Sequence, residues 1–311
     1  MAEKRISKVL VTGSSGTIGT RLCERLMAET DCTVAGIDRR PNAWNPAVQA
    51  VTVVADLLDP AAFAELPTDF DVVIHLAANA RVHDVVVDPD QARDNILTIY
   101  NVLEFCRRNA IPRVMFASSR EVYGNADGLV HAEQPVHLDT CESPYAASKM
   151  AGEALVTSYQ RCYGLDFVNI RFSNVYGMYD DSNRVVPLFI RLTKQGQDLT
   201  VFGKDKLLDF TYIDDAVHGV MQVLERFERA RNQVYNLAFG AGTTILEVAE
   251  TLRDRLGAKT QIHLGDVRAG EVVQYVADIT KAREMLQYAP QVPFKEGIER
   301  TVQWYEAHLY P

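Results

Sequence analysis

Apolar residues in the first 172 positions fall into two alternating patterns. Short continuous runs have strand length: "KVLVTG" (8–13), "TVAGID" (33–38), "AVTVVAD" (50–56), "DVVIHLAA" (71–78), "RVMFASS" (113–119) and "DFVNIRF" (166–172). "DVVIHLAA" is apolar at successive positions and reads as a strand buried on both faces. Between these runs the spacing changes. "TIGTRLCERLMAE" (17–29) puts Ile18, Leu22, Leu26 and Met27 on one side of a helix. "PAAFAEL" (60–66) reads as a short helix, Pro89 starts a long one through about Asn109, and "SPYAASKMAGEALVTSYQRCYG" (143–164) forms another. Strand–helix alternation predicts an α/β fold with a doubly wound parallel sheet. Beyond Phe172 the pattern loosens into loops, short strands and several helices, which suits a smaller C-terminal lobe. The expected division is 1–172 plus about 207–237 for the large domain, and 173–206 plus about 238–311 for the lobe.

Composition narrows the possibilities. Hydrophobic residues make up 47% of 311, enough for a sizeable core. A formal charge of −9 argues against a nucleic-acid partner, but a few local arginines can still bind a phosphorylated substrate. No apolar run approaches the roughly 18 residues that span a bilayer, so no membrane role is expected. The start "MAEKRISKVLVTG" lacks a signal-peptide layout. Five scattered cysteines without a C-x-x-C pair read as reduced thiols in a cytoplasmic protein.

The cofactor signal lies at the first strand-to-helix turn, "VTGSSGTIG", with Gly13, Gly16 and Gly19. Lacking a Cβ, these residues permit a tight turn and a close approach of backbone to a pyrophosphate. The following helix offers free N–H groups and a positive dipole end. No lysine follows, so a Walker-type loop does not fit. Asp38 ends the next strand, 19 residues beyond Gly19, near the spacing expected for an acid on the adenosine ribose. A carboxylate there repels a 2′-phosphate, which favours NAD; Arg39 and Arg40 follow directly and keep NADP open. Asp56 reads either as an adenine contact or as a helix cap near Pro60.

A base appears in "SPYAASKMAGE". Tyr145 and Lys149 are four apart on the expected helix, hence on one face. A neighbouring ammonium and a positive nicotinamide ring favour the phenolate and are expected to lower the tyrosine's pKa. Ser118 and Ser119 end the preceding strand at the same sheet edge, where a hydroxyl can bond a reacting alcohol oxygen and share its proton with Tyr145.

Together these segments resemble the extended short-chain dehydrogenase/reductase family, and within it the nucleotide-sugar epimerases and dehydratases. "TGSSGTIG", "HLAAN", "SSREVYG", "YAASK" and "RFSNVYG" occur in family order and cover nearly the whole chain. The resemblance implies a Rossmann sheet with NAD held by Gly13, Ser15, Gly16, Thr17, Ile18, Gly19, Asp38, Arg39, Asp56, Leu57, Leu76, Ala77, Ala78, Asn95, Tyr145 and Lys149. It makes Ser119 the catalytic hydroxyl, Tyr145 the base and Lys149 its activator. Asn95 alternatively serves as a helix-packing amide. The substrate is then a nucleoside-diphosphate sugar, with a UDP-sugar favoured, rather than a free steroid, flavonoid or aldehyde. Asn174 is implied at the diphosphate or sugar, Val186 and Phe202 around the nucleotide base, Arg268 as a diphosphate clamp and Glu271 on the ribose. Each has a plainer role as a surface charge or core residue.

Two departures bear on the reaction. Many relatives carry an arginine before the aspartate of "RDF", where this chain has Leu208, and Lys204, Lys206 or Arg184 are the candidates to replace it. In the 4,6-dehydratases an Asp-Glu pair follows the catalytic hydroxyl; here Glu121 matches the second acid and Arg120 replaces the first. Arg120 either attracts a sugar carboxylate or pairs away with Glu133 or Glu142. The expected activity is 4-epimerisation through a transient 4-keto sugar, with Glu121 keeping a 4,6-dehydratase or uronate decarboxylase as the alternative. An NAD-binding regulator without turnover is the reading from another class, and the intact Ser119, Tyr145 and Lys149 disfavour it. The resemblance also implies a homodimer through a four-helix contact from segments 89–109 and 144–163. Ile96, Ile99, Leu103, Ala147, Met150 and Leu155 are divided between that contact and the sheet, unless all of them pack within one chain.

Overall fold

The computed structural model describes residues 6–310; the charged start Met1–Arg5, read above as lacking a signal layout, lies outside them. Seven parallel strands form the main sheet: β1 (Lys8–Thr12), β2 (Thr33–Asp38), β3 (Thr52–Val54), β4 (Val72–His75), β5 (Arg113–Ser119), β6 (Asp166–Phe172) and β7 (Gln233–Leu237). Their order is β3-β2-β1-β4-β5-β6-β7, so the winding reverses between β1 and β4. A crevice opens at the carboxyl ends of strands flanking such a reversal, the usual ligand position in open α/β sheets.

Both faces of the sheet are covered. Val9 and Val11 join one core cluster with Leu22 and Leu26 of helix Thr17–Glu29 and Val217 and Val220 of helix Ile213–Glu225. Leu10 points the other way, into a second cluster with Ile99 and Leu103 of helix Asp90–Arg108 and Val156 of helix Pro144–Tyr163. Alternation within a strand that is apolar at every position is the two-sided burial expected for a parallel sheet. All four residues of β4 are buried. The third expected strand is trimmed to three residues because Pro46–Ala50 forms a short helix instead, capped by Asn45.

Beyond β6 the chain builds two small sheets. Strand Leu207–Tyr212 pairs with Asn174–Tyr176, Gly242–Thr244 and Gln274–Ala277, and the last of these pairs with Val130–His131. Leu199–Phe202 pairs with Ile262–Gly265. Within the segment 207–237, strand Leu207–Tyr212 is thus hydrogen-bonded to the small sheet, whereas β7 belongs to the large one. Of the helix residues divided above, Ile99, Leu103 and Met150 are buried within the chain, and Ala147 is exposed. Leu97 and Tyr100 are exposed on the same helix as Ile99. No helix among the described residues is long and apolar enough to cross a membrane.

Candidate active site

The glycine turn follows β1 at the reversal point. Gly13 has φ +73°, and a Cβ there would stand 2.7 Å from the Ala77 nitrogen, just past β4. A Cβ on Gly19 would collide with the Gly13 carbonyl oxygen, so this glycine lets helix Thr17–Glu29 sit directly on the turn. The two strands are tied across the crevice as well: Thr12 Oγ1 and His75 Nδ1 are 2.8 Å apart, and Ala77 N–H donates to Thr12 Oγ1 at 3.3 Å. Burial pushes the His75 imidazole down to about 3, so it serves here as a neutral hydrogen-bonding group.

One cleft runs along this edge and is lined by Gly13, Gly16, Asp38, Arg39, Asp56, Leu57, Leu76, Ala77, Ala78 and Asn95, all singled out from the sequence. Arg40, named beside Arg39, lines it too; Leu58, Asn79, Asp94 and Thr98 also line it and were not singled out. A signal existed for three of them. Asn79 closes "HLAAN", and Asp94 and Thr98 flank Asn95 at helical spacing. Asp38 accepts from the Ser15 N–H at 3.0 Å and from the Arg40 N–H at 3.0 Å, which fixes its carboxylate at the mouth of the glycine turn. Asp56 does not cap the turn at Pro60; Asp59 does so, accepting from the Ala61 N–H at 2.9 Å, because it stands directly before the proline. Asn95 fills both roles offered for it. It lines the cleft, accepts from the Asn79 N–H at 2.8 Å, and donates to Asn79 O at 3.1 Å and Ser148 Oγ at 3.2 Å. Ser15, Thr17, Ile18, Gly19, Tyr145 and Lys149 are not among the residues that line the cleft. Ser15 Oγ donates to Arg40 O at 2.9 Å and Thr17 Oγ1 to Tyr179 O at 3.1 Å, while Ile18 packs against the core.

Helix Pro144–Tyr163 begins where the sequence marks it. Ser143 caps it by accepting from the Ala146 N–H at 3.1 Å, Pro144 takes the first position, and Gly164 ends it in the left-handed conformation at φ 72°. Gly152 has no room for a side chain because the Phe116 ring of β5 lies against it. This close approach brings Tyr145 and Lys149 beside the end of β5. Lys149 Nζ donates to Ala117 O at 2.8 Å and lies 5.8 Å from the Tyr145 ring centre.

The electrostatics of this pair differ from the sequence expectation. Burial pushes the Tyr145 phenol up to about 12, against the pull of the Ser119 hydroxyl and of the Arg184 and Arg120 charges. Burial likewise pushes the Lys149 ammonium down to about 8. In the protein alone burial sets the direction of both shifts.

The two serines divide the work. Ser118 Oγ donates to Glu153 Oε1 at 2.6 Å, and Arg171 grips both oxygens of Glu153 at 2.9 and 2.8 Å. Sequence reading missed this buried triad, although Glu153 lies four residues beyond Lys149 on the same helix face. Ser119 Oγ accepts from the Glu121 N–H at 3.2 Å, which turns the chain into a 3₁₀ segment at Arg120–Tyr123. Arg120 pairs with neither Glu133 nor Glu142. Its Nη2 lies 2.7 Å from Glu121 Oε1 and donates to Asn174 Oδ1 at 3.4 Å. The tight turn puts the two adjacent side chains side by side, and both are buried.

The lobe residues are already engaged with one another. The Arg268 guanidinium sits 3.8 Å from the Phe202 ring centre, and Lys206 Nζ is 2.9 Å from Glu271 Oε2. Arg184 Nη2 pairs with Asp180 at 2.8 Å and donates to Thr17 Oγ1 at 3.0 Å. Of the three candidates to replace the arginine missing at Leu208, Lys206 and Arg184 are thus paired within the protein, and Lys204 is exposed. Leu208 and Val186 are buried in the main hydrophobic core, so the Val186 side chain serves packing.

The cradle fits a dinucleotide: backbone approaches where no Cβ can stand, beside a fixed carboxylate at the end of β2. Comparisons with known proteins agree. The model of the NAD dependent epimerase/dehydratase family matches residues 9–238. An uncharacterised UDP-glucose epimerase of Bacillus subtilis (strain 168) is 32% identical, covering 97% of this chain and 99% of its own. A dTDP-glucose 4,6-dehydratase of Streptomyces antibioticus is 31% identical, covering 96% and 92% respectively. Among solved structures, a dTDP-glucose 4,6-dehydratase of Streptomyces venezuelae with NAD bound superposes with a TM-score of 0.89 at 29% identity, covering 97% of each chain. The chain belongs to the NAD-dependent epimerase/dehydratase family, and its cofactor is NAD.

Proposed function

We propose that this family member is a nucleotide-sugar 4-epimerase, with a UDP-hexose as the favoured substrate. The observation that carries the reading is the Arg120–Glu121 ion pair, 2.7 Å long and buried directly after Ser119. Elimination of water, or loss of carbon dioxide after oxidation, calls on a further acid or base near C5 or C6. The carboxylate placed to serve is neutralised by its neighbour. Epimerisation at C4 makes no such demand, because the same bond to hydrogen is broken and remade.

In this reading Ser119 Oγ hydrogen-bonds the C4 oxygen and Tyr145 removes its proton. Lys149, held by the Ala117 carbonyl, supplies the positive charge that favours the phenolate. Held by the glycine turn and Asp38, NAD would supply a reversible hydride acceptor for C4. The 4-keto sugar turns within the lobe and presents its other face, and Tyr145 gives the proton back to the oxygen. Arg268 and Phe202 receive the diphosphate and base, Asn174 the sugar and Glu271 the ribose. The proposed division of labour keeps the expected domains except that strand Leu207–Tyr212, paired in the small sheet, goes with the substrate lobe. We also propose a homodimer through helices Asp90–Arg108 and Pro144–Tyr163, supported by exposed Leu97, Tyr100 and Ala147; a sedimentation mass of two chains checks it.

The test of the reaction is product analysis with UDP-, dTDP-, GDP- and CDP-sugars. The expected product has the substrate's mass and differs only at C4. A product lighter by about 18 or 44 mass units transfers the assignment to the dehydratase or decarboxylase branch, as atom balance requires. No turnover and no absorbance change near 340 nm with any sugar leaves a cofactor-binding regulator.

A further inference from the structure

Two side chains adjacent in sequence each keep one polar atom without a partner. Arg120 Nη1 and Glu121 Oε2 are buried and make no hydrogen bond, although Arg120 Nη2 and Glu121 Oε1 hold each other at 2.7 Å. A third such atom is close by. Tyr275 Oη is also buried and unpartnered, and the Arg120 guanidinium lies 5.9 Å from the Tyr275 ring centre. Leaving buried polar atoms unpaired is costly, and native proteins avoid it except where something else completes the bonding. These three atoms lie between Ser119, which opens the turn carrying the pair, and the small-sheet strand Gln274–Ala277. Arg120 also reaches Asn174, so the pair spans the reacting hydroxyl and the residue given to the sugar.

The chemistry of the unpaired atoms selects a ligand. Arg120 Nη1 can only donate, and Glu121 Oε2 as a carboxylate oxygen can only accept. A sugar hydroxyl does both at once: it accepts from the arginine and donates to the glutamate. A carboxylate accepts but has nothing to donate, and it would bring a second negative charge against Glu121. Arg120 on its own would attract a uronate; paired with Glu121 it presents no net charge. We propose that the Arg120–Glu121 pair is a specificity element that takes a hydroxyl of an uncharged hexose, at the end of the sugar beyond C4, and rejects a hexuronate. This rests on the nucleotide-sugar reading of the cleft.

Binding can be separated from turnover by using the Tyr145→Phe protein with NAD bound, titrated calorimetrically with UDP-glucose and UDP-glucuronate. UDP-glucose is expected to bind at least tenfold more tightly. Adding Glu121→Gln removes the like charge while keeping the shape, and should shrink that preference at least tenfold, chiefly by improving UDP-glucuronate binding. Arg120→Gln should act the other way and widen it, so the proposal stays testable if one of the two variants fails to fold. Equal affinities, a preference for UDP-glucuronate, or a preference unmoved by both variants would overturn the element. Failure of UDP-glucose, UDP-glucuronate and their dTDP counterparts all to bind would instead overturn the nucleotide-sugar reading beneath it. A wild-type product of altered mass would sink the epimerase assignment while leaving the measured preference standing.

Discussion

The cofactor cleft and the group of residues proposed for the substrate are built differently. The wall at β1 and β4 is mostly backbone. Gly13 and Gly19 matter because no Cβ can stand where they are, and Asp38 is fixed by two main-chain N–H groups. The residues proposed for the substrate do not line that cleft, and their side chains hold one another: Arg268 on Phe202, Lys206 with Glu271, Arg120 with Glu121. A backbone cradle is complete before its ligand arrives. In the proposed function a set of paired side chains must exchange partners, so the substrate would compete with contacts the protein already makes. One cofactor can serve many reactions on such a fold, because the side-chain set decides what is turned over.

The largest expected effect comes from a change at the proposed base. Tyr145→Phe keeps the buried ring and removes only the titrating oxygen. It should retain NAD and fold normally while turnover falls by roughly 10²–10⁴, the usual range for a general base. Near-normal activity in a steady-state assay would take Tyr145 out of the mechanism.

Next comes the backbone wall. Asp38→Ala should weaken NAD binding by about tenfold, the equivalent of one good hydrogen bond, and narrow the gap to NADP. It also frees the Ser15 and Arg40 N–H groups that the carboxylate now satisfies. Calorimetry showing that the unaltered protein prefers NADP would contradict the role given to this residue.

The smallest effect is on stability. Folded, Lys149 keeps its proton only below about 8, whereas its ordinary value is 10.5. Between these values the unfolded chain binds more protons, so raising the pH through this window favours the folded state. Burying the charge costs stability most below pH 8. Lys149→Met should therefore melt a few degrees above the wild type near pH 7, with the gain fading from pH 8 to 10.5. A gain that is constant with pH would mean that the ammonium is not the source of the cost.

The sequence located the backbone wall well. Strand–turn–helix punctuation, three glycines and an acid at the end of the second strand are local features, and local rules read them. Eleven of the residues named from the sequence line one cleft. It also placed Tyr145 and Lys149 on one capped helix. It did less well where roles depend on partners distant along the chain. Ser118 and Ser119 are neighbours; the resemblance chose Ser119 for chemistry, but only the fold shows that Ser118 is held by Glu153, itself gripped by Arg171. Helical spacing put Tyr145 and Lys149 on one face, but did not show that burial would push the phenol up and the ammonium down.

By itself, then, the sequence determined the alternating sheet, the glycine cradle and the Ser–Tyr–Lys set, because periodicity, capping and turn chemistry act over a few residues. Only the tertiary structure decided that Leu207–Tyr212 joins the small sheet, that Asp59 rather than Asp56 caps the 3₁₀ turn, and that Arg120 neutralises Glu121. Which strand edge is filled, which carboxylate meets an N–H group and which charges are buried together depend on three-dimensional proximity and desolvation, and neither is written in the order of the residues.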